Sequence, residues 1–147
     1  MVLKNVSKKA LSRKIKKIEN DYIAKYAKLR GDRAERELIK LLSSLDFSAA
    51  RIAGSGNNTA DVIASKRGNI FAFECKSWAT TVRIKEKQLD GLLEFSEKAM
   101  AIPLIAIKKE REGWKFLKAE DVKENKGVVS KKLIEEKGFG VEFFENY

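Results

Sequence analysis

Asp61, Glu74 and Lys76 are charged residues whose types and spacing could support phosphodiester chemistry. Glu74 and Lys76 stand two residues apart in a segment rich in β-forming residues, so their side chains should project from one face of a strand. A turn at Gly68-Asn69 would fold the segment that Asp61 begins alongside this strand. The spacing therefore predicts two carboxylates and one ammonium group at one end of a sheet.

Two convergent carboxylates are ligands that Mg²⁺ prefers together with water and substrate phosphate, and the backbone carbonyl of Cys75 could add an oxygen. A metal held by Asp61 and Glu74, with Mn²⁺ expected to substitute for Mg²⁺, would polarise a phosphate and acidify a bound water. Lys76 would orient that water or stabilise the developing charge. Alternatively, Asp61 caps a turn, and Glu74 with Lys76 forms an exposed and weak ion pair.

The composition excludes several other kinds of chemistry. The chain has no histidine and one cysteine, so Cys/His zinc sites, Ser-His-Asp and Cys-His nucleophiles and an intrachain disulfide are ruled out. No apolar run approaches the roughly 20 residues that span a bilayer, and the lysine-rich start leads into no signal-peptide core. We expect a soluble, cytoplasmic protein without a membrane partner or a small-molecule cofactor.

Positive charge is concentrated at the N-terminus. Of the net charge of +10, residues 1–30 hold +8, from ten Lys/Arg against Glu19 and Asp21. Such a segment is typical of an arm that binds a polyanion, and it makes Lys16 and Lys17 candidate DNA contacts. A solvated lysine-rich helix face is the alternative.

Helices and strands are predicted to alternate along one domain with an N-terminal appendage. An amphipathic helix over residues 11–29 is interrupted by Gly31, after which Asp32 and Glu35 have the spacing of a capping box for a second helix through Leu45. Strands are predicted at 47–53, 61–64, 70–76, 103–107 and 114–117, with helices at 84–100 and 128–136. The apolar end, residues 139–144, could form a last strand.

The motif Arg30-Gly31-Asp32-Arg33-Ala34-Glu35-Arg36-Glu37-Leu38 resembles the first-helix signature of archaeal Holliday junction resolvases, which are PD-(D/E)XK nucleases. Further blocks match in the same order: Phe47, Arg51, Ser55-Gly56, Asp61-Val62-Ile63-Ala64, Glu74-Cys75-Lys76-Ser77, and Gln88 through Leu92-Leu93-Glu94-Phe95. The resemblance covers residues 30–108. It departs from the family at Ala60, where a proline is usual, and in a short loop over residues 54–59.

This resemblance implies an α/β, restriction-endonuclease-like core, with a central mixed sheet of about five strands flanked by helices and an extra N-terminal amphipathic helix. The expected division is a basic extension, residues 1–29, and a nuclease domain, residues 30–147. By position, Asp61 and Glu74 would bind the metal with Lys76 beside them, and Glu35 would complete the acidic site. Ser55 would assist cleavage. Helix capping by Glu35 and turn chemistry for Ser55 are the alternatives.

The resemblance also implies a homodimer that makes paired symmetric nicks in four-way junction DNA, because each chain carries one site and two strands must be cut. Basic residues would read the shape and backbone of the junction more than its bases: Arg30, Arg33, Arg36 and Arg51. Alternatives are another PD-(D/E)XK endonuclease that acts on duplex DNA and a DNA-binding module without catalysis. Residues 1–29 could hold DNA, mediate dimerisation or pack on the domain.

Overall fold

A single long helix opens the fold. The computed structural model describes residues 7–53 and 59–147, and α1 runs from Lys8 to Ser44. Ser7 caps its N-terminus, where the side-chain oxygen accepts a hydrogen bond from the backbone N–H of Ala10 at 3.1 Å. The predicted interruption at Gly31 is therefore wrong.

The reason for this error lies in the apolar pattern. Leu29 and Leu38 are nine residues apart, about two and a half helical turns, so they lie on opposite sides of the helix. In the sequence, this change of side at Gly31 looks like a break between two helices. Because the helix is continuous, Asp32 and Glu35 lie in its interior, and the predicted capping box is also wrong.

Seven short strands and three further α-helices follow in the described part of the chain. In chain order they are β1 (Ser48–Arg51), β2 (Val62–Lys66), β3 (Asn69–Ser77), β4 (Val82–Arg83), α2 (Glu86–Ala99), β5 (Ile102–Lys109), β6 (Gly113–Lys118), α3 (Ala119–Glu124), β7 (Val128–Val129) and α4 (Lys131–Lys137). A 3₁₀ helix, Val141–Asn146, ends the chain. The five main predicted strands and the helix at 84–100 are confirmed with small boundary shifts, whereas β4, β7 and α3 had not been predicted.

The central sheet has the order β1-β2-β3-β5-β6. Neighbouring strands are antiparallel except for β3 and β5, which are parallel and joined by the crossover that contains α2. β4 and β7 form a separate antiparallel pair. The prediction of a mixed five-stranded sheet flanked by helices is confirmed.

Apolar side chains fill both faces of the sheet. On one face, α1 buries Ala34, Leu38 and Leu42 against alternate residues of β3, including Phe71 and Phe73. The other face packs against α2, α3 and α4. No helix in the described residues is long and apolar enough to cross a membrane.

The C-terminal segment closes the first of these two cores. Phe144 is fully buried, and its ring lies 4.8 Å from Phe116 and 5.4 Å from Phe71, measured between ring centroids. Phe139 makes only an isolated bridge to Phe116 before the 3₁₀ helix begins. The strand expected over residues 139–144 is wrong, because these aromatic side chains pack into the core from a 3₁₀ helix and not from a strand. Likewise, the helix expected at 128–136 is shorter and starts at Lys131.

Candidate active site

Asp61 lies at the start of β2, where the sheet ladder fixes its backbone. Its N–H donates to the carbonyl of Phe73 at 2.8 Å, and its carbonyl accepts from Ile52 at 2.9 Å. The side chain turns to the neighbouring strand, and Oδ2 accepts a hydrogen bond from the backbone N–H of Cys75 at 2.9 Å. The hairpin of β2 and β3 therefore brings the Asp61 carboxylate to the strand that carries Glu74.

Glu74 and Lys76 project from the same face of β3, as the alternation predicted. Lys76 Nζ lies 3.3 Å from Glu74 Oε1. Cys75 points to the other face and joins the core beneath α1. Glu74 is buried, with 5% of its surface exposed, so the alternative of an exposed, solvated ion pair at this position is wrong.

Burial and a neighbouring like charge make Glu74 difficult to ionise. Loss of hydration is the main cause, and the charge of Asp61 adds to it, so that together they raise the pKa of Glu74 to about 7. Lys76 opposes the shift but does not cancel it. The site thus holds two carboxylates with one ammonium group, and a further cation would compensate the remaining negative charge.

Glu35 comes from α1 to the same region. Burial raises the pKa of its carboxyl, and the charge of Asp61 raises it further, whereas Arg51 lowers it. Arg51, on β1, forms an ion pair with Glu35 through Nε and a second one with Asp32, in which Nη2 lies 2.6 Å from Oδ1. The nearest partner of Glu35 is therefore an arginine and not the two carboxylates on β2 and β3.

In the described residues, no three acidic or cysteine side chains stand close enough together to form a ready metal site. The pair Asp61 and Glu74 nevertheless fits a hard divalent cation, because both supply carboxyl oxygens and a bound cation would favour the ionised form of Glu74 that burial and Asp61 oppose. Glu35 is within electrostatic reach but is held by Arg51. Ser55 lies outside the described residues.

The basic residues predicted to contact DNA are differently placed. Arg30, Arg33 and Arg36 are exposed residues of α1 close to Glu35 in sequence, and Arg33 pairs with Glu37, its Nε lying 3.1 Å from Oε1. Lys16 and Lys17 lie in the exposed N-terminal half of the same helix. Arg51 lies against Asp32 and Glu35. The two lysines lie far from the site, toward the N-terminus of α1.

One connection near the site was missed in the sequence. Glu37 forms an ion pair with Lys108 on β5, although 71 residues separate them. The bond to Lys108 is the main cause that lowers the pKa of Glu37. This pair ties α1 to the strand beside β3, and no local pattern could have indicated it.

The chain matches the family model described as archaeal Holliday junction resolvase (Hjc) over residues 26–145. The chain belongs to this family. Membership confirms the resemblance seen at residues 30–38, and it confirms the predicted class of enzyme, an endodeoxyribonuclease of the Holliday junction resolvase family. The match begins at residue 26, inside α1, so most of the N-terminal half of this helix lies outside the matched region.

Curated relatives in the Holliday junction resolvase family agree with this assignment. The chain is 36% identical over 124 residues to the crossover junction endodeoxyribonuclease Hje of Sulfolobus acidocaldarius, covering 80% of this chain and 83% of that protein. It is 40% identical over 102 residues to the Hje protein of Saccharolobus solfataricus, covering 63% and 76%. The Archaeoglobus fulgidus Hjc structure, a Holliday junction resolvase, matches with a TM-score of 0.71 and 22% identity, covering 78% of this chain and 99% of that one. This last likeness supports the fold.

Proposed function

We propose that this chain resolves four-way DNA junctions by hydrolysing one phosphodiester bond in each of two opposing strands, with Mg²⁺ as its metal and Mn²⁺ able to replace it. The observation that supports this most directly is the convergence of Asp61 and Glu74 beside Lys76 in a chain of the resolvase family. A site of this composition serves phosphate chemistry because hard oxygen ligands attract a hard divalent cation.

In this proposal, Asp61 and Glu74 hold the metal, and the Cys75 backbone carbonyl offers a further oxygen. The bound metal supplies Lewis acidity toward the scissile phosphate and toward water. Lys76 keeps its ammonium group beside Glu74 and donates to the attacking water or to the phosphate as negative charge develops there. Ser55, which the family resemblance singled out, assists cleavage.

Glu35 completes the acidic site, and Arg51 controls its availability. In the free protein Arg51 binds both Glu35 and Asp32. A DNA phosphate offers the guanidinium group another anion to bind. When Arg51 turns to the phosphate, the Glu35 carboxylate becomes free to face the metal.

A homodimer supplies the two sites that paired nicks require, because one chain carries one site and a two-fold axis generates the other. Arg30, Arg33, Arg36 and Arg51 contact phosphates near the cut, and Lys16 and Lys17 contact DNA farther along α1. Residues 30–147 act as the nuclease domain and residues 1–29 as a basic extension. Phosphate contacts of this kind position the duplex arms without reading bases.

The substrate is tested by incubating the protein and Mg²⁺ with a synthetic four-way junction and, separately, with a linear duplex made from the same arm sequences. We expect nicked duplexes from the junction and almost no cleavage of the linear duplex. Equal cutting of both would show a general duplex endonuclease. Binding to the junction without cleavage in Mg²⁺ or Mn²⁺ would show a DNA-binding module.

The metal site is tested with Asp61→Asn, which removes a ligand charge while leaving the basic surface unchanged. We expect cleavage to fall by at least about a thousandfold, in line with losing several kcal/mol of transition-state stabilisation, while the dissociation constant for the junction changes little. The matched control is Asp90→Asn on α2, where the carboxylate is exposed and pairs with Lys123. Full cleavage by Asp61→Asn would contradict the assignment.

A further inference from the structure

The N-terminal half of α1 carries an apolar seam that no other described part of the chain covers. Seven of the nine large hydrophobic residues that are exposed in the described part lie between residues 11 and 29. Five of them form one line along the helix, and we call this line the seam: Leu11, Ile15, Ile18, Tyr22 and Leu29. Helices in proteins gain most of their stability by packing an apolar face against another surface, so we expect a partner to cover the seam.

The partner cannot be the chain's own domain. The face of α1 that packs on the sheet carries Leu38 and Leu42, which are fully buried. Leu29 lies about two and a half turns before Leu38 and so points to the opposite side of the same continuous helix. The seam therefore faces away from the nuclease domain.

The spacing of the seam fits a single partner helix. From Leu11 its members follow at steps of four, three, four and seven residues, which is the alternation of a coiled-coil core. Lys25 takes the position three residues after Tyr22, where its aliphatic stem can lie along the seam while its ammonium group reaches water. Tyr26 lies at the edge of the seam, and its ring centroid is 4.3 Å from that of Tyr22. Such a narrow stripe matches one helix, whereas a helix lying on a bilayer presents a wider apolar face.

The charges beside the seam are complementary to those of a second copy. Glu19 and Asp21, the only acidic residues before position 31, flank the seam on its two sides, and Lys14 lies next to Ile15. In a parallel, in-register pair, Lys14 of each chain would face Glu19 of the other. An anionic lipid or DNA lying on the seam would leave Glu19 and Asp21 without a cationic partner.

The geometry points to a second copy of this chain as the partner: residues 11–29 of two chains pair through their seams, in parallel and in register, as a short two-stranded coiled coil. Lys16 and Lys17 lie off the seam, so the paired helices keep them on outer faces where they can contact DNA. This pairing would give the homodimer of the proposed function an interface. Its test needs neither metal nor DNA, so a failure here is distinguishable from a failure of the proposed nuclease activity.

The pairing is measured by attaching a spin label to Ser12→Cys in the full chain and recording distances between chains without DNA. The native Cys75 is buried, and burial raises the pKa of its thiol, so it stays unlabelled. We expect a short and narrow distance that persists at high salt, because screening weakens the repulsion between two basic helices and leaves apolar contact intact.

Two variants with the same change decide the role of the seam. Ile18→Asp places a charge in the seam, and Ile23→Asp places one off it, and the two native side chains are similarly exposed at 61% and 62%. The short distance should disappear in the first variant and remain in the second, while circular dichroism shows that both keep their helix. A distance that is absent, that is unaffected by Ile18→Asp, or that appears only after DNA or anionic vesicles are added would overturn the pairing.

Discussion

Glu74 shows how a residue can weaken the fold that presents it. Its carboxyl is buried beside Asp61, and these two causes raise its pKa from 4.5 to about 7. A carboxyl whose pKa is higher in the folded than in the unfolded protein destabilises the folded state as the pH rises, because the charge is less favourable there. Lys76 compensates for only part of this cost, and in the proposed function a divalent cation would compensate for the rest.

Glu74→Gln should therefore stabilise the metal-free protein at high pH. Below pH 4.5 both proteins carry a neutral group here, so the variant gains little, and the gain should grow as the pH rises toward about 7 and then level off. We expect a gain on the order of 1 to 3 kcal/mol in the free energy of unfolding at pH 8. Urea titrations in EDTA between pH 4 and 9 would measure it.

The control for this prediction is Glu94→Gln on α2, where an exposed carboxylate pairs with Lys98 at 2.9 Å. Exposed pairs contribute little, so this variant should change stability by no more than about 0.5 kcal/mol at any pH. A loss of stability in Glu74→Gln at pH 8 would mean that the ion pair with Lys76 outweighs the cost of burial.

Among the elements, α1 combines two roles in one continuous helix. Its C-terminal half packs on the sheet and brings Glu35 to the site, and its N-terminal half projects the exposed seam. Gly31 lies at the junction between the halves and adopts ordinary helical backbone, with no atom within 4 Å of the position a Cβ would take. Nothing in the geometry of the helix requires glycine here.

Gly31→Ala should accordingly stabilise the protein by about 0.5 to 1 kcal/mol, because alanine loses less backbone entropy in a helix. Gly113→Ala is the opposing control, since that glycine is equally open but has a φ of +79°, which alanine tolerates poorly. We expect the two variants to shift the urea midpoint in opposite directions. Destabilisation by Gly31→Ala would indicate that the helix bends at this point when the protein works.

For the molecule as a whole, the decisive property is the separation of positive charge from the site. Residues 31–147 carry only +2 of the net +10, so the N-terminal half of α1 dominates the electrostatic attraction to DNA. Because a helix rises about 1.5 Å per residue, Lys16 lies roughly 28 Å along α1 from Glu35. If the extension contacts DNA as proposed, it would hold an arm of a junction well away from the proposed point of cutting.

The double variant Lys16→Ala, Lys17→Ala tests this arrangement. If both side chains contact phosphates, junction binding should weaken and the magnitude of the slope of log K against log salt should fall by up to about 2 for each bound chain. Lys131→Ala, Lys132→Ala on α4 removes the same charge from exposed positions elsewhere and should leave the slope nearly unchanged. Fluorescence anisotropy with a labelled junction would measure both. Equal slopes for the two variants and the native chain would contradict DNA contact by the extension.

The sequence by itself determined the hairpin that carries the site. Alternation along β3 placed Glu74 and Lys76 on one face, since this signal is local. The turn signal at Gly68-Asn69 indicated the hairpin that brings Asp61 beside them, although the turn itself lies one residue earlier, at Arg67-Gly68. The motif at residues 30–38 indicated the family because it is a contiguous block. These features depend on residues that are near one another in the chain.

Only the tertiary structure decided what depends on distant residues. α1 is continuous through Gly31 although its apolar residues change side there, and Glu35 forms an ion pair with Arg51 that no sequence spacing predicted. The aromatic plug at Phe144 replaced a predicted strand because burial in the core outweighed local β propensity. Burial also set the pKa of Glu74, a quantity that depends on everything packed around the carboxyl and not on its neighbours in sequence.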